Sequence, residues 1–372
     1  MAHKIGICGC GDRVRWVAGL VVDLCDEIEV AGVFDPDDDS VKHSEERFGA
    51  VKRFDTYEEM LQDDSISWIF IGSWNSFHVD QIEAAYNAGK HVFSEKPLAV
   101  TMEECDRIEN FWKNKDQKFC LGLTLRYSPH YQKMKDMLND GALGQIISFE
   151  FNETLGFNHG GFIMGDWRRH NHLSGPHVLE KCCHDIDIIQ WLIDSTPTKV
   201  ASFGGTNIFI PENEGLMEKV GDSPDGRKAF MATPWTSTTP NINPFTSDKS
   251  IMDNQVAILE FKNGARASFH TNMSASITER RIYILGTEGS IRADVLTGKI
   301  EYKKIGFDTE VIDASSNASG GHGGGDEILA QSIVDCIISD ATPLTGITDG
   351  VNSSRTALAI QQAAETGAIV IL

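Results

Sequence analysis

Across its first third the chain alternates short β-branched or aromatic runs with amphipathic stretches, a pattern that few folds can accommodate. Residues 4–8, 29–35, 68–72, 91–94 and 119–122 read as strands, and helical periodicity fills the intervals between them. Strand–helix–strand units of this length close as right-handed crossovers, so the strands should run parallel with helices on both faces. The expectation is a doubly wound Rossmann sheet. A chain of 372 residues exceeds what one hydrophobic core usually serves, and a second domain should follow.

The pattern changes at Arg126. A helix over 129–140 leads into a strand over 145–153, then into a long irregular stretch rich in Gly, His and Arg. Runs at 256–261, 265–271, 281–285 and 289–294 alternate in polarity and are joined by turns such as Asn263-Gly264 and Glu288-Gly289, as in antiparallel hairpins. The fold class expected is α/β, with a Rossmann domain over 1–125 and a C-terminal α+β domain over 126–372. The second domain should carry an open, mostly antiparallel sheet, and its last helix can pack back on the first domain. Segments 211–250 and 315–325 read as loops, the second containing five glycines.

Bulk properties narrow the partners. A net charge of −21 repels polyphosphate backbones and anionic membranes, so no nucleic acid and no membrane is expected. The opening residues enter a strand without the basic and apolar regions of a secretory signal, and the expected location is cytoplasmic. Eight cysteines in so long a chain do not form a disulfide framework. Cys8 and Cys10 lack a second pair at zinc spacing, and the histidines at 159, 170, 172 and 177 lack tight ligand spacing, so no metal is expected.

The first strand runs into Gly9-Cys10-Gly11-Asp12-Arg13-Val14. Gly9 and Gly11 can supply a tight turn and let backbone N–H groups approach a pyrophosphate at a helix N-terminus, beside Asp12 and Arg13. A full fingerprint would have a small residue in place of Val14, where helix meets strand. Asp35, 26 residues after Gly9, can accept hydrogen bonds from both adenosine ribose hydroxyls. With Asp37, Asp38 and Asp39 behind it, a 2′-phosphate is unwelcome, so the expected cofactor is NAD and NADP is less favoured.

Further on, Glu180-Lys181-Cys182-Cys183-His184-Asp185-Ile186-Asp187 opens an apolar-periodic stretch that reads as helix. At helical spacing Glu180, His184 and Asp187 share a face, placing an imidazole between two carboxylates. Oxidation of an alcohol requires loss of a hydroxyl proton, and histidine has the side-chain pKa nearest working pH. His184 is the expected general base.

Residues 72–97, GSWNSFHVDQIEAAYNAGKHVFSEKP, resemble the hallmark segment of the Gfo/Idh/MocA family. The resemblance continues through 122–144, Asp166-Trp167-Arg168, the run 180–187 and the turn 286–289. It implies that Ser73, Trp74, Asn75 and His78 line the diphosphate and nicotinamide side of the cofactor, and that Glu95 closes the nicotinamide pocket. It places Lys96 against both cofactor and substrate, where its cation polarises the reacting oxygen. Trp167 and Arg168 reach toward the nicotinamide and, in the case of Arg168, the substrate. Arg126 and Tyr127 contact substrate hydroxyls from across the cleft. The family commonly has an aspartate where Glu180 stands. Glu180, counted with Lys96 and His184 as catalytic, and the adjacent Lys181 would therefore reshape the substrate pocket. His322 and Asp326, flanking the glycine cluster, are further candidates for the site of their own or a neighbouring subunit.

The implied activity is hydride transfer between nicotinamide and a secondary hydroxyl of a sugar, glycoside or inositol. Two alternatives stay open: a glycosidase-type enzyme that uses tightly bound NAD for transient oxidation, and a non-enzymatic nucleotide-sensing regulator. A homodimer or homotetramer is expected, because an open antiparallel sheet offers a face for self-association.

Overall fold

The computed structural model describes residues 3–113, 116–233, 235, 242–315 and 320–372. Its first sheet comprises β1 (His3–Cys8), β2 (Ile28–Phe34), β3 (Lys52–Arg53), β4 (Ile66–Ile71), β5 (His91–Ser94) and β6 (Phe119–Leu121). All are parallel, in the spatial order 3-2-1-4-5-6. Between them run α1 (Asp12–Leu24), α2 (Asp38–Phe48), α3 (Tyr57–Leu61), α4 (His78–Asn87) and α5 (Met102–Trp112). The central strands read as unbroken apolar runs because helices cover both faces. Strand order reverses between β1 and β4, and ligands of open parallel sheets bind beyond the strand ends at such a reversal. The edge strand β3, only two exposed residues long, escapes the sequence pattern.

The oversized Val14 is accommodated by its neighbour. A side chain on Gly72, at the exit of β4, would come within 2.5 Å of Val14, so the bulk that α1 carries is balanced by its absence on the facing strand. Helix and sheet still pack closely.

The second sheet has nine strands: β7 (Ile146–Gly156), β8 (Pro197–Gly205), β9 (Asn254–Phe261), β10 (Arg266–Ala275), β11 (Arg281–Gly286), β12 (Gly289–Asp294), β13 (Lys299–Lys304), β14 (Ile312–Asp313) and β15 (Val370–Ile371). Their order is 14-13-12-11-7-10-9-8-15. Among the described residues of this sheet only β7 and β10 pair in parallel; the other ladders are antiparallel. One face packs on α6 (Pro129–Asn139), and then, after α7 (Phe157–Gly165), α8 (Asn171–Ser174) and α9 (His177–Glu180), on α10 (Cys183–Ile193). The opposite face leaves Phe203, Val256 and Ile258 exposed.

Segment 211–250, expected as loop, carries α11 (Leu216–Val220) and contributes Ala229, Phe230 and Phe245 to a small core with Phe162, Met164 and Met273. Its approach is fixed by the buried Asp253 carboxylate, which accepts from the backbone N–H groups of Asn207, Ile208 and Phe209.

Two C-terminal helices return to the first sheet. α12 (Gly325–Ile338) places Leu329, Ile333 and Ile337 in one core with Val14, Val17 and Phe70. α13 (Ile347–Thr366) inserts Ile347 and Val351 beside Leu98 and Leu121, while its Ala357, Ile360 and Ala363 join the core of the second sheet. Among the described residues, no helix is long and apolar enough to cross a membrane.

Candidate active site

The phosphate turn is built by backbone geometry. Gly9 has φ +80°, and a Cβ there would lie 2.3 Å from the Ser73 nitrogen, so only glycine can occupy it. A Cβ on Gly11 would meet nothing closer than 3.6 Å, leaving room for a ligand at the N-terminus of α1, where the first-turn N–H groups need acceptors. Asp12, the unwelcome acid in this turn, pairs with Arg15. At the end of β2, Asp35 accepts from the backbone N–H of Cys10 at 2.6 Å and of Asp37 at 2.8 Å. A carboxylate offers about four lone-pair sites, so two remain for a ribose diol. These residues fit a dinucleotide.

The next motif divides into cleft residues and staples. Trp74 stacks on Trp167 with ring centroids 5.6 Å apart, joining the two halves of the chain at the cleft. Ser73 Oγ donates to Gln81 at 2.6 Å. Asn75 is buried and donates its amide to the Ser174 carbonyl at 2.8 Å. His78 corrects the sequence expectation: it is buried, with Nδ1 2.7 Å from the Pro97 carbonyl and Nε2 3.1 Å from that of Ser73. Both ring nitrogens face carbonyls, and the neutral imidazole donates to one of them, so His78 packs between the Ser73 turn and the Lys96-Pro97 turn with its nitrogens turned away from a cofactor.

Lys96 leaves the end of β5 and reaches the second domain. Its ammonium donates to the main-chain carbonyl of Glu180 and lies 3.3 Å from the Glu180 carboxylate. That contact explains a second correction. The stretch 180–187 is not one helix: α9 ends at Glu180, Lys181 and Cys182 form a break, and α10 starts at Cys183. The Glu180 carbonyl, which a continuous helix would bond to the His184 N–H, is held by Lys96 instead. Glu180 and His184 therefore stand on different helices.

Arg168 Nε approaches Glu180 at 3.5 Å, while its Nη1 is braced by Asp166 at 2.6 Å. Burial raises the proton affinity of Glu180, but Lys96, Arg168 and Lys181 outweigh it and hold the carboxyl at about 2. Desolvation lowers the proton affinity of Lys96, but Glu180, Cys183 and Glu95 together outweigh it and keep its pKa above the ordinary value. His184 is buried, and its Nδ1 has no hydrogen-bond partner. Burial, then the nearby Lys96, push its pKa well below 6.5, so the imidazole is neutral.

The remaining members of the motif serve structure. Asp187 does not flank His184; it takes a bidentate pair from Arg126 at 2.8 and 2.6 Å, and Arg126 also reaches Asp349 of α13 at 2.8 Å. Arg126 thus has its charge spent in a buried three-way junction, contrary to the expected substrate contact. Tyr127 is buried in the first core with its hydroxyl 3.2 Å from Thr345, and it too is withdrawn from the cleft. Asp185 forms a bidentate pair with Arg280 at 2.7 and 2.8 Å.

Arg13 is clasped by Glu95 at 3.3 Å and Asp326 at 2.8 Å, and Asp326 in turn holds His322 Nδ1 at 3.0 Å. Glu95 therefore meets Arg13 at the edge of the site.

Sequence reasoning did not single out Glu153 and Arg280. Glu153 lies 3.4 Å from Arg280 and 3.8 Å from Lys181. Together with Asp185 they form a buried charge cluster, and no local pattern around either residue announces it. Glu153, Cys182 and Asp185 also converge within 4.8 Å, but Arg280 and Lys181 already balance that charge without a metal.

Comparison with known proteins fits this geometry. Residues 3–123 match the family model described as "Oxidoreductase family, NAD-binding Rossmann fold", and residues 135–372 match "Oxidoreductase family, C-terminal alpha/beta domain". The chain belongs to the Gfo/Idh/MocA oxidoreductase family. Within it, the chain is 24% identical over 377 residues to YteT of Bacillus subtilis (strain 168), covering 89% of this chain and 88% of that one. It is 27% identical over 234 residues to inositol 2-dehydrogenase of Salmonella typhimurium (strain LT2), covering 60% of this chain and 62% of that one. Among solved structures, levoglucosan dehydrogenase in complex with NADH and levoglucosan superimposes with a TM-score of 0.81 at 18% identity, covering 100% and 99% of the two chains. The scyllo-inositol dehydrogenase of Lactobacillus casei with NAD(H) and scyllo-inositol gives 0.76 at 22% identity, covering 100% and 99%.

Proposed function

We propose that this protein is a dehydrogenase of cyclic polyols or sugars that oxidises a secondary hydroxyl, with residues 1–125 holding NAD and residues 126–372 holding the substrate. The observation that carries the reading is the meeting of Lys96, fixed by Glu180, with a neutral, buried His184. NAD, when bound, accepts the hydride from the substrate carbon.

An ammonium has three donors, and Lys96 directs two contacts to Glu180, leaving one for the reacting oxygen. Because Glu180 raises its proton affinity, Lys96 stays charged and acts by polarising that oxygen. The neutral His184 imidazole takes the hydroxyl proton. Ionised Glu180 and the partly open Arg168 position neighbouring hydroxyls, while Trp74 and Trp167 exclude water at the mouth of the cleft. Asp35 accepts the ribose hydroxyls and repels a 2′-phosphate, which favours NAD over NADP. The exposed apolar face of the second sheet serves as the contact between copies.

Purified protein given NAD and a panel of inositols, aldoses and anhydrosugars should produce the absorbance of reduced nicotinamide with at least one of them. Silence across the panel with both NAD and NADP would overturn the reading. Sugar release from a glycoside without net reduction would assign the site to transient oxidation instead.

A further inference from the structure

The reaction above leaves a proton on a residue badly placed to keep it. His184 is 3% exposed, its Nδ1 is sealed from solvent, and Lys96 stands nearby. An imidazolium there is costly, and a second group must relieve it.

The structure supplies one from a distant part of the chain. His322 lies with its ring centroid 5.5 Å from that of His184, and its side chain is 27% exposed against 3% for the whole of His184. Its backbone is left-handed, φ +50°, in a turn whose neighbours Gly320, Gly323 and Gly324 also have positive φ. A residue with a Cβ rarely adopts that conformation, and an imidazole held in it points to use. The turn is anchored on both sides: Ser128 Oγ donates to the Gly323 carbonyl at 2.8 Å, and a Cβ on Gly325 would lie 2.6 Å from the Thr124 carbonyl. Asp326 holds His322 Nδ1 at 3.0 Å and itself pairs with Arg13 of the phosphate turn at 2.8 Å. The outer nitrogen of His322 is left for proton exchange.

We propose that His322, oriented by Asp326, is the proton-relay partner of His184, receiving the proton that His184 takes from the substrate hydroxyl and passing it to water. This inference rests on the dehydrogenase reading. In the oxidising direction the C–H bond breaks with its electron pair going to NAD, and the O–H bond breaks with its proton going to His184. That proton then protonates His322 and leaves to solvent, so one proton is released for each NADH formed. His322 is a positioning residue, one step removed from the substrate.

The charged surroundings give the path a direction. Facing His184 are Lys96 from the β5 turn, His322, Arg280 from the β11 side and Lys181 from the break between α9 and α10. Facing His322 are Asp326, Arg13 from α1, Lys181 and His184. Burial pulls His322 down to about 4 despite Asp326, whereas His184, with burial and Lys96 acting together, is pushed well below 6.5 and has no carboxylate bonded to it. Only His322 has an anion against its ring to carry the charge.

Two measurements decide the matter. In the full-length protein with NAD and its best substrate, His322→Asn should lower kcat about 10- to 100-fold with little change in KM for NAD. It should enlarge the solvent deuterium isotope effect, and free imidazole should restore part of the rate. In the cofactor-free protein, imidazole NMR titration should show the His184 midpoint rising when His322 is replaced by Asn, and the His322 midpoint falling in Asp326→Asn. A His322→Asn enzyme that binds NAD weakly but turns over normally, or that ignores added imidazole, would show that His322 merely braces Arg13. Unchanged NMR midpoints would overturn the coupling as well. Should His184→Asn keep full activity, the dehydrogenase reading itself fails; should it be inactive while His322→Asn is normal, only the relay fails.

Discussion

The Lys96–Glu180 pair and the Arg280–Asp185 pair sit close together in the fold, and each joins a buried carboxylate to a cation from another element. They differ in what they leave unused. Arg280 makes two parallel hydrogen bonds to Asp185 and turns the rest of its fork to Glu153; none of the three side chains is more than 9% exposed. Around Glu180, Lys96 and Arg168 are 16% and 29% exposed, and the ammonium keeps a spare donor. A bidentate buried pair holds the fold, whereas a pair with a spare donor beside a cleft is prepared for a ligand.

The strongest assault on this contrast is acid, which forces charge onto buried rings. Burial lowers His130 and His177 to about 4, from about 6.5 in an unfolded chain. Between those values the unfolded chain binds more protons, so stability is full above pH 6.5 and falls as pH drops toward 4. Each ring contributes up to about 1.4 kcal/mol per pH unit, a large part of a typical margin of about 5–15 kcal/mol. Circular dichroism should show unfolding within that window; a flat signal down to pH 4 would contradict the burial of these rings.

Next in size, Arg280→Met should cost about 3–5 kcal/mol in denaturant unfolding, because Asp185 loses its bidentate partner and Glu153 keeps only Lys181 at 3.8 Å. Arg126→Met should also destabilise while leaving KM for the polyol unchanged; a selective rise in KM would return Arg126 to the substrate site. His184→Asn should lower kcat/KM by about 10²- to 10⁴-fold, with a loss of stability well below that of Arg280→Met. The smallest effect is expected at Asp35, where Asn should shift preference from NAD toward NADP by about tenfold, read from the ratio of kcat/KM values. No shift there would remove Asp35 from the ribose.

Much of the fold could be read from the sequence because its parallel strands are long apolar runs with turn residues at both ends. Strands without such signals were missed: β3 is two exposed residues, β8 begins with Pro197 and ends in two glycines, and β15 pairs only through Val370 and Ile371. Lys96 and His184 stood out because each belongs to a compact motif. The break after Glu180 did not, since it depends on a lysine 84 residues earlier taking a backbone carbonyl. The partners of Asp185 and Asp187 are likewise 95 and 61 residues away, and helical spacing set Asp187 beside His184, which it does not flank. His78 shows the converse, a residue within the right motif whose two nitrogens face inward.

The return of α12 and α13 to the first sheet has a consequence for how the protein is made. Synthesis proceeds from the N-terminus, so β1 to β6 leave the ribosome some two hundred residues before the helices that cover Phe70 and Leu121. The nucleotide half must wait, with greasy flanks bare, until the polypeptide is nearly finished. Chaperone dependence should therefore concentrate on the nascent chain, and a fragment cut at residue 123 should precipitate where the whole protein stays in solution.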